Sequence, residues 1–205
     1  KKQSGGHGQY GHVKMTFEPS GDMDTPYVFE QTVVGGAVPK NFFPAVEKGI
    51  AESVKRGPLA AYPVTGIKAV LYDGSYHPVD SSEMAFKVAT QQAFKKGIME
   101  AKPVLLEPIA TLKVVVPEGY TGDVMGELNK RRARVMGMNP TDNGYQEIVA
   151  DIPYLELYGY NATLRSMTSG SGTFSYEFAR YEQAPDDVAA KQIEERASKL
   201  VEVEE

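Results

Sequence analysis

The sequence of 205 residues contains no cysteine and no tryptophan. Without cysteine, the chain has no disulfide framework, no thiolate nucleophile and no cysteine-ligated metal site. No apolar run approaches the ~20 residues that a membrane-spanning helix needs, and no secretory signal peptide precedes the first motif. We therefore expect a cytoplasmic protein that has no membrane partner.

Motifs of nucleotide-binding and metal-dependent enzymes are also absent. The chain has no G-x-x-x-x-G-K-[ST] loop and no H-E-x-x-H helix. The three histidines, His7, His12 and His77, lack the spacing of a metal site. Ser75, His77 and Asp80 have the residue types of a hydrolytic triad, but no nucleophile elbow accompanies them. We expect no catalytic residue, metal or cofactor here, and keep a small hydrolase using His77 as a competing hypothesis.

Negative charge is unevenly distributed along the chain. The formal net charge is −5. Residues 1–105 carry 12 basic and 10 acidic side chains, whereas residues 106–205 carry 10 and 17. A negative total argues against indiscriminate coating of nucleic acid, but it leaves a localised contact with RNA open.

Hydrophobic periodicity predicts an α/β first half. Its strands are expected at 9–19, 27–34 and 64–74, and its helices at 39–57 and 81–101. The first helix has one apolar stripe, formed by Phe42, Val46, Ile50 and Val54. Asp80 or Ser81 can cap the second helix, and Glu83 complements its positive end.

The second half has the order β-α-β-β-α-β, which predicts a ferredoxin-like domain. Its strands are expected at 109–117, 133–140, 145–153 and 172–182, and its helices at 122–132 and 156–170. A proline-containing junction, KPVLLEP, precedes it, and a helix with an acidic end follows from Asp186. We predict domains at 1–104 and 105–184, with a C-terminal helix and acidic tail at 185–205.

Two segments are candidates for contact with RNA. The loop SGGHGQYGH combines flexible glycines with histidine, glutamine and tyrosine, groups that hydrogen-bond to or stack on single-stranded RNA. The run from Lys130 to Arg134 is the strongest basic patch, suited to phosphate contact. A flexible loop before a strand and a solvated helix end that complements the helix dipole are the alternatives.

The motifs resemble translation elongation factor G of bacteria. Segments 2–13 (KQSGGHGQYGHV) and 57–89 are similar to its fourth domain. Segments 101–109, 122–138 and 158–185 are similar to its interdomain junction and fifth domain. The resemblance implies an elongated domain four, related to a ribosomal-protein fold with a left-handed crossover, followed by a ferredoxin-like domain five.

The resemblance also implies a function. It predicts the ribosome-contacting part of a translational GTPase that promotes tRNA–mRNA translocation, with two tip loops entering the decoding site among rRNA, tRNA and mRNA. The implied RNA-contacting tip residues are Gln3, Ser4, Gly5, Gly6, His7, Gln9, Ser75, Tyr76 and His77. The possible rRNA phosphate contacts are Lys130, Arg131, Arg132, Arg134 and Arg165.

Further expectations follow from the same family. Domain five would face the stalk base and the sarcin–ricin region of the ribosome. GTP and magnesium would bind in a GTPase domain that is missing from this sequence, so the fragment itself would not be an enzyme. We expect a monomer.

The sequence departs from the family pattern at four positions. His7 stands where arginine is frequent, Pro78 where aspartate is frequent, Ala133 where glycine interrupts a basic run, and Ser171 where arginine is frequent. The two lost basic residues, at positions 7 and 171, would weaken phosphate contacts and suggest as an alternative a diverged paralogue acting in ribosome recycling or a specialised condition. A free-standing RNA-binding module is a further alternative.

Overall fold

The chain forms two compact units in a computed structural model that describes residues 6–201. The first unit comprises Lys1–Pro103 together with Asp187–Glu205, and the second comprises Val104–Asp186. Within the described range, no helix combines the length and apolar character needed to cross a membrane.

The first unit has a three-stranded sheet with two helices packed on one face. Its elements are β1 (His12–Pro19), β2 (Tyr27–Gln31), α1 (Phe43–Ser53), β3 (Ile67–Ser75) and α2 (Glu83–Glu100). The strand order is β1-β3-β2, with β1 antiparallel and β2 parallel to β3. The chain thus crosses from β2 through α1 to the parallel strand β3. The left hand expected for this crossover stays a prediction.

The apolar stripe predicted for α1 is confirmed. Val46 and Ile50 are fully buried, and Phe42 stacks on Phe86 of α2 with ring centroids 4.6 Å apart. Gly49 lets the two helices approach closely, because a Cβ there would lie 2.9 Å from Cβ of Thr90. The two helices therefore form one layer over the sheet.

The N-cap of helix α2 is Ser82, one residue after Ser81 and two residues after Asp80, the two predicted caps. Ser82 is extended, and its hydroxyl accepts the backbone N–H of Ala85 at 3.1 Å. Asp80 and Ser81, the two predicted caps, bind other groups described below, so that prediction was wrong. Glu83 lies in the first turn, as expected.

The second unit confirms the ferredoxin-like prediction. Its elements are β4 (Leu106–Pro117), α3 (Thr121–Lys130), β5 (Arg134–Pro140), β6 (Tyr145–Pro153), α4 (Tyr160–Met167) and β7 (Thr173–Gln183). The sheet order is β5-β6-β4-β7, and all neighbouring strands are antiparallel. Alternate residues of β4 and β6 join both helices in the core, including Leu112, Val114, Ile148, Leu128 and Leu164.

Helix α4 is shorter than the predicted span 156–170. A 3-10 turn occupies Tyr154–Leu157, and Gly159 has a left-handed φ of 71°, which separates that turn from the helix. The α-helical pattern therefore covers only the residues after this glycine.

The last helix, α5 (Asp186–Val201), docks on the first unit. Arg196 lies over the ring of Tyr62, with its guanidinium carbon 3.7 Å from the ring centroid. Its Nε also donates to the carbonyl oxygen of Ala60 at 2.7 Å. The C-terminal helix is thus held by a polar and an aromatic contact.

Candidate nucleic-acid interface

Two segments predicted to form a tip lie side by side in the first unit. We call residues 6–11 and 75–82 the paired loops. Tyr10 N–H donates to the carbonyl oxygen of Asp80 at 2.9 Å, and the Ser81 hydroxyl donates to the carbonyl oxygen of Tyr10 at 2.9 Å. Gly8 N–H donates to Oδ1 of Asp80 at 2.9 Å. The family resemblance implied both loops, and these bonds join them into one surface.

Glycine is required where this surface meets the body of the unit. A Cβ on Gly11 would lie 2.5 Å from the carbonyl oxygen of Ala85, in the first turn of α2. A Cβ on Gly74 would collide with the backbone of His12 on the neighbouring strand. Backbone atoms cannot move aside as a flexible side chain can, so both glycines fix the position of the paired loops.

His77 caps a single helical turn at the end of the second loop. Its Nδ1 accepts the backbone N–H groups of Val79 at 3.2 Å and Asp80 at 3.0 Å. The Ser81 N–H donates to the carbonyl oxygen of His77 at 3.2 Å, which closes the turn. Pro78 occupies the first position of this turn, where a missing N–H costs no hydrogen bond. The fold therefore accommodates the residue that departs from the family pattern.

The capping bonds define the chemical face that His77 presents. Because Nδ1 accepts two N–H groups in this arrangement, the proton of the neutral imidazole lies on Nε2. The side chain is 49% exposed. Oδ2 of Asp80 lies 3.6 Å from Nδ1, a contact that is an ion pair only when the ring is protonated. His77 thus offers one N–H donor at a half-exposed position.

Ser75 contacts a different histidine from the one that a hydrolytic triad would need. Its Oγ lies 2.7 Å from Nδ1 of His12 and 2.6 Å from the hydroxyl of Tyr10. The register of β1 against β3 places His12 opposite Ser75. The sequence did not predict this contact of His12 with Ser75, because the two residues lie 63 positions apart along the chain. His77 is turned to its own backbone, so Ser75, His77 and Asp80 do not form a relay.

The other predicted tip residues lie on or beside the paired loops. Tyr76 is 48% exposed, and His7 and Gln9 are also exposed. Gly6 has a left-handed φ of 83°. Gln3, Ser4 and Gly5 fall outside the described residues. The ring of Tyr10 adds a second aromatic group to this surface, and its centroid lies 6.3 Å from that of the His77 ring.

Two arginines of the basic run support the fold of the second unit. Arg131 donates to Glu127 at 2.9 Å, to the carbonyl oxygen of Glu156 at 2.6 Å and to Thr163 at 3.0 Å. Its side chain is only 16% exposed. Arg132 forms a two-pronged ion pair with Glu107, at 2.8 and 3.0 Å.

The hydrogen bonds to Glu107 raise the pKa of Arg132 above its ordinary value, more than burial lowers it. These two guanidinium groups therefore have carboxylate partners already. Phosphate contact by Arg131 and Arg132 stays a prediction.

The remaining three predicted cations are exposed. Lys130 ends α3 and Arg165 lies on α4, and both have exposed side chains. Arg134 is 66% exposed, although it lies 3.1 Å from Asp151. Contact of these three residues with rRNA also stays a prediction.

Within residues 6–201, no group of three or more histidine, aspartate or glutamate side chains is arranged to hold a metal ion. The His7, His12 and His77 set therefore does not converge. The polar groups of the paired loops are donors and acceptors suited to binding.

Comparisons with known proteins agree with the two units. Residues 1–102 match the family described as elongation factor G, domain IV, and residues 104–192 match the family described as elongation factor G C-terminus. An elongation factor G-like protein of Thermotoga maritima is 50% identical over 204 residues, covering 100% of this chain and 30% of that relative. A crystal structure of a Thermus thermophilus protein superposes with a TM-score of 0.80 at 44% identity, covering 96% of this chain and 29% of that one.

The chain thus spans about a third of the length of the relatives that it matches. The order of the two matched families is the order of the two units in the structure. The chain belongs to the elongation factor G family and comprises its domain IV followed by its C-terminal domain.

Proposed function

We propose that this chain is the ribosome-contacting part of a translational GTPase, with the paired loops entering the decoding site during tRNA–mRNA translocation. Membership of the family supports a role in translation at the ribosome. The GTPase domain, with its GTP and magnesium, belongs to the part of the longer protein outside these 205 residues. The C-terminal domain faces the stalk base and the sarcin–ricin region, and the protein acts in the cytoplasm as a monomer.

One observation carries the proposal for the paired loops. The imidazole of His77 is held by its own turn, so that Nδ1 is occupied and the half-exposed ring presents a donor on Nε2. A phosphate or ribose oxygen accepts such a donor. Because the turn fixes the ring before binding, little side-chain freedom is lost when RNA is contacted. The surface therefore suits a blunt, preformed contact with RNA.

Two substitutions of His77 separate the two ring nitrogens. Asparagine places an acceptor near Nδ1, so His77→Asn keeps the cap but removes the outward donor. Glutamine places an amide donor near Nε2, so His77→Gln keeps the donor but weakens the cap. Both are neutral, so the net charge of the protein does not change.

The test is the rate of mRNA movement on the ribosome, measured with the longer protein under single-turnover conditions. We expect His77→Asn to slow translocation about tenfold or more, because a hydrogen bond to a charged group contributes about 1.5–3 kcal/mol. We expect His77→Gln to retain more of the rate. An unchanged rate in His77→Asn would refute the contact, and a slow Gln variant beside a fast Asn variant would assign His77 to shaping the turn alone.

A second candidate is a diverged paralogue that acts in ribosome recycling or a specialised condition. It is favoured by His7 and Ser171, which replace arginines frequent in the family and so remove two fixed positive charges. Expression of the longer protein in a strain depleted of elongation factor G distinguishes the two roles. Restored growth supports the elongation factor, and failure at normal expression supports the paralogue.

A further inference from the structure

We propose that the first unit has a second anion site, which binds a phosphate group in a basic pocket away from the paired loops. The open pocket has a volume of about 310 Å³. Its lining contains four cations, a hydroxyl and an alanine, contributed by Lys55, Arg56, Ala61, Arg196, Ser198 and Lys199. Among residues 6–201, no carboxylate lines it. This inference does not depend on the proposed contact of the paired loops with the ribosome.

The floor of the pocket is a built structure rather than a set of free surface chains. Ala61 has a left-handed φ of 58°, which is uncommon for a residue with a side chain. The carbonyl oxygens of Ala60 and Ala61 accept Nε and Nη2 of Arg196 at 2.7 and 3.2 Å. The ring of Tyr62 covers one face of the guanidinium, and the guanidinium carbon lies 3.7 Å from the ring centroid. Arg196 is therefore held in place before any ligand arrives.

Arg196 retains donors for a ligand. A guanidinium has N–H groups on three nitrogens, and its two hydrogen bonds use Nε and part of Nη2. Its Nη1 has no hydrogen-bond partner among residues 6–201. A fixed guanidinium with free N–H groups matches the oxygens of a phosphate.

The other three cations of the pocket also lack carboxylate partners in the described part of the chain. Lys55 lies close enough to Glu52 to help lower the pKa of that carboxyl, but the first cause of the shift is the hydrogen bond from Lys87. The ammonium of Lys87 lies 2.7 Å from Oε2 of Glu52. Glu52 is thus already paired, and the charge of Lys55 is not neutralised.

Helix ends explain part of this charge but not all of it. Lys55 and Arg56 follow the last turn of α1, and Lys199 lies in the last turn of α5, where cations complement the negative end of the dipole. That effect is worth about 0.3–1 kcal/mol for each charge. It accounts for cations near each helix end, but not for their convergence with Arg196 on one pocket that no carboxylate of residues 6–201 lines.

The ligand class is a phosphate group, supplied either by an RNA backbone or by a free anion. RNA is the natural source for a protein of this family, and four of the six lining residues among residues 6–201 are cations suited to phosphate oxygens. A contact of this kind positions RNA without reading its sequence.

The test is a titration of the whole chain, followed by amide NMR, with inorganic phosphate and separately with a short RNA duplex. We expect shifts at Lys55, Arg56, Ser198 and Lys199 and at the Nε–H of Arg196. Lys55→Gln combined with Lys199→Gln should abolish these shifts. It should also lower the slope of log affinity for the duplex against log salt by about one unit for each lysine removed.

The matched control combines Lys96→Gln with Lys191→Gln, which removes the same charge from the same unit. Both lysines are exposed, at 80% and 74%, and lie outside the pocket. Every variant retains the three glutamates that follow the pocket residues in sequence, Glu202, Glu204 and Glu205. Their charge is therefore the same in the pocket variant and in the control. Equal losses in the pocket variant and the control, or no shifts with either probe, would overturn the proposal.

Two results support the proposal and differ in the source of the phosphate. Shifts with both probes identify an RNA backbone site, and shifts with inorganic phosphate alone identify a site for a free anion. His77→Asn should leave these shifts unchanged, so a failure of the paired-loop contact is distinguishable from a failure of the pocket.

Discussion

Replacing Gly11 with alanine tests the close contact that fixes the paired loops to α2. The new Cβ would lie 2.5 Å from the carbonyl oxygen of Ala85, 2.7 Å from its carbonyl carbon and 3.0 Å from the nitrogen of Phe86. Ala85 and Phe86 are buried, at 7% and 0% exposure, and Phe86 is stacked on Phe42. The helix start therefore cannot yield without disturbing the core.

We expect Gly11→Ala to lower the free energy of unfolding of the first unit by about 1–3 kcal/mol, the usual cost of overpacking. Each kcal/mol corresponds to roughly 4–8 °C in Tm for a domain of 60–100 residues. Gly126→Ala is the matched control, because a Cβ there meets nothing within 4 Å on the exposed face of α3. It should stabilise the second unit by about 0.5–1 kcal/mol through helix propensity.

Residue-resolved amide hydrogen exchange is the suitable assay, because it reports each unit separately and the sequence has no tryptophan for fluorescence. Protection should fall in β1, β3 and α2 of the Gly11 variant and rise in α3 of the Gly126 variant. Unchanged protection throughout the first unit of the Gly11 variant would refute the close contact.

Three further predictions concern the second unit. Arg131→Met should lower its free energy of unfolding by about 3 kcal/mol, because the acceptors of a guanidinium that is only 16% exposed lose their donor. The exposed neighbour substitution Lys130→Met should change it by less than about 0.5 kcal/mol. Urea unfolding compares the two variants. Tyr160→Phe should stabilise the unit by about 1 kcal/mol, since the buried hydroxyl has no hydrogen-bond partner among residues 6–201. Burial raises the pKa of Tyr160 to about 12, so in an ultraviolet titration this tyrosine should ionise at higher pH than the exposed tyrosines. Burial raises the pKa of Asp151, but hydrogen bonds from Arg180 and Arg134 lower it by more, so that the net pKa lies below the ordinary value of 3.8. The contribution of the Asp151 carboxylate to stability is therefore complete above about pH 4 and is lost as pH falls through the folded pKa. Acid unfolding curves of Asp151→Asn should lack this pH-dependent loss.

Periodicity predicted the elements that are held by apolar burial. The stripe containing Val46 and Ile50, and the order of strands and helices in the second unit, follow from residues that alternate or recur at fixed spacing. Such patterns are readable because one face of each element must leave water. The predicted start of α4 was wrong, because the left-handed backbone of Gly159 interrupts a helical hydrophobic pattern that continues on both sides of it.

Polar partners were much less predictable than apolar faces. Asp80, Ser81 and Ser82 are all suited to cap a helix, and only the folded backbone decides that Ser82 does so. Arg131 looks like a solvated cation in sequence, but it is only 16% exposed and donates to acceptors from α4 and the preceding turn. The capping role of His77 could not be predicted either, because histidine is not a usual cap and the N–H groups that donate to it depend on the turn that Pro78 begins.

The central claim is that the paired loops reach the decoding site of the ribosome. The absence of cysteine from these 205 residues permits a single probe, placed by Val79→Cys on a side chain that is 56% exposed beside His77. Met99→Cys, at a position that is 45% exposed on α2, is the control. In the longer protein with other cysteines replaced, an iron chelate on residue 79 should cleave small-subunit rRNA at the decoding site, and the chelate on residue 99 should not. Ribosome binding without cleavage from residue 79, or the same cleavage from both positions, would contradict the account.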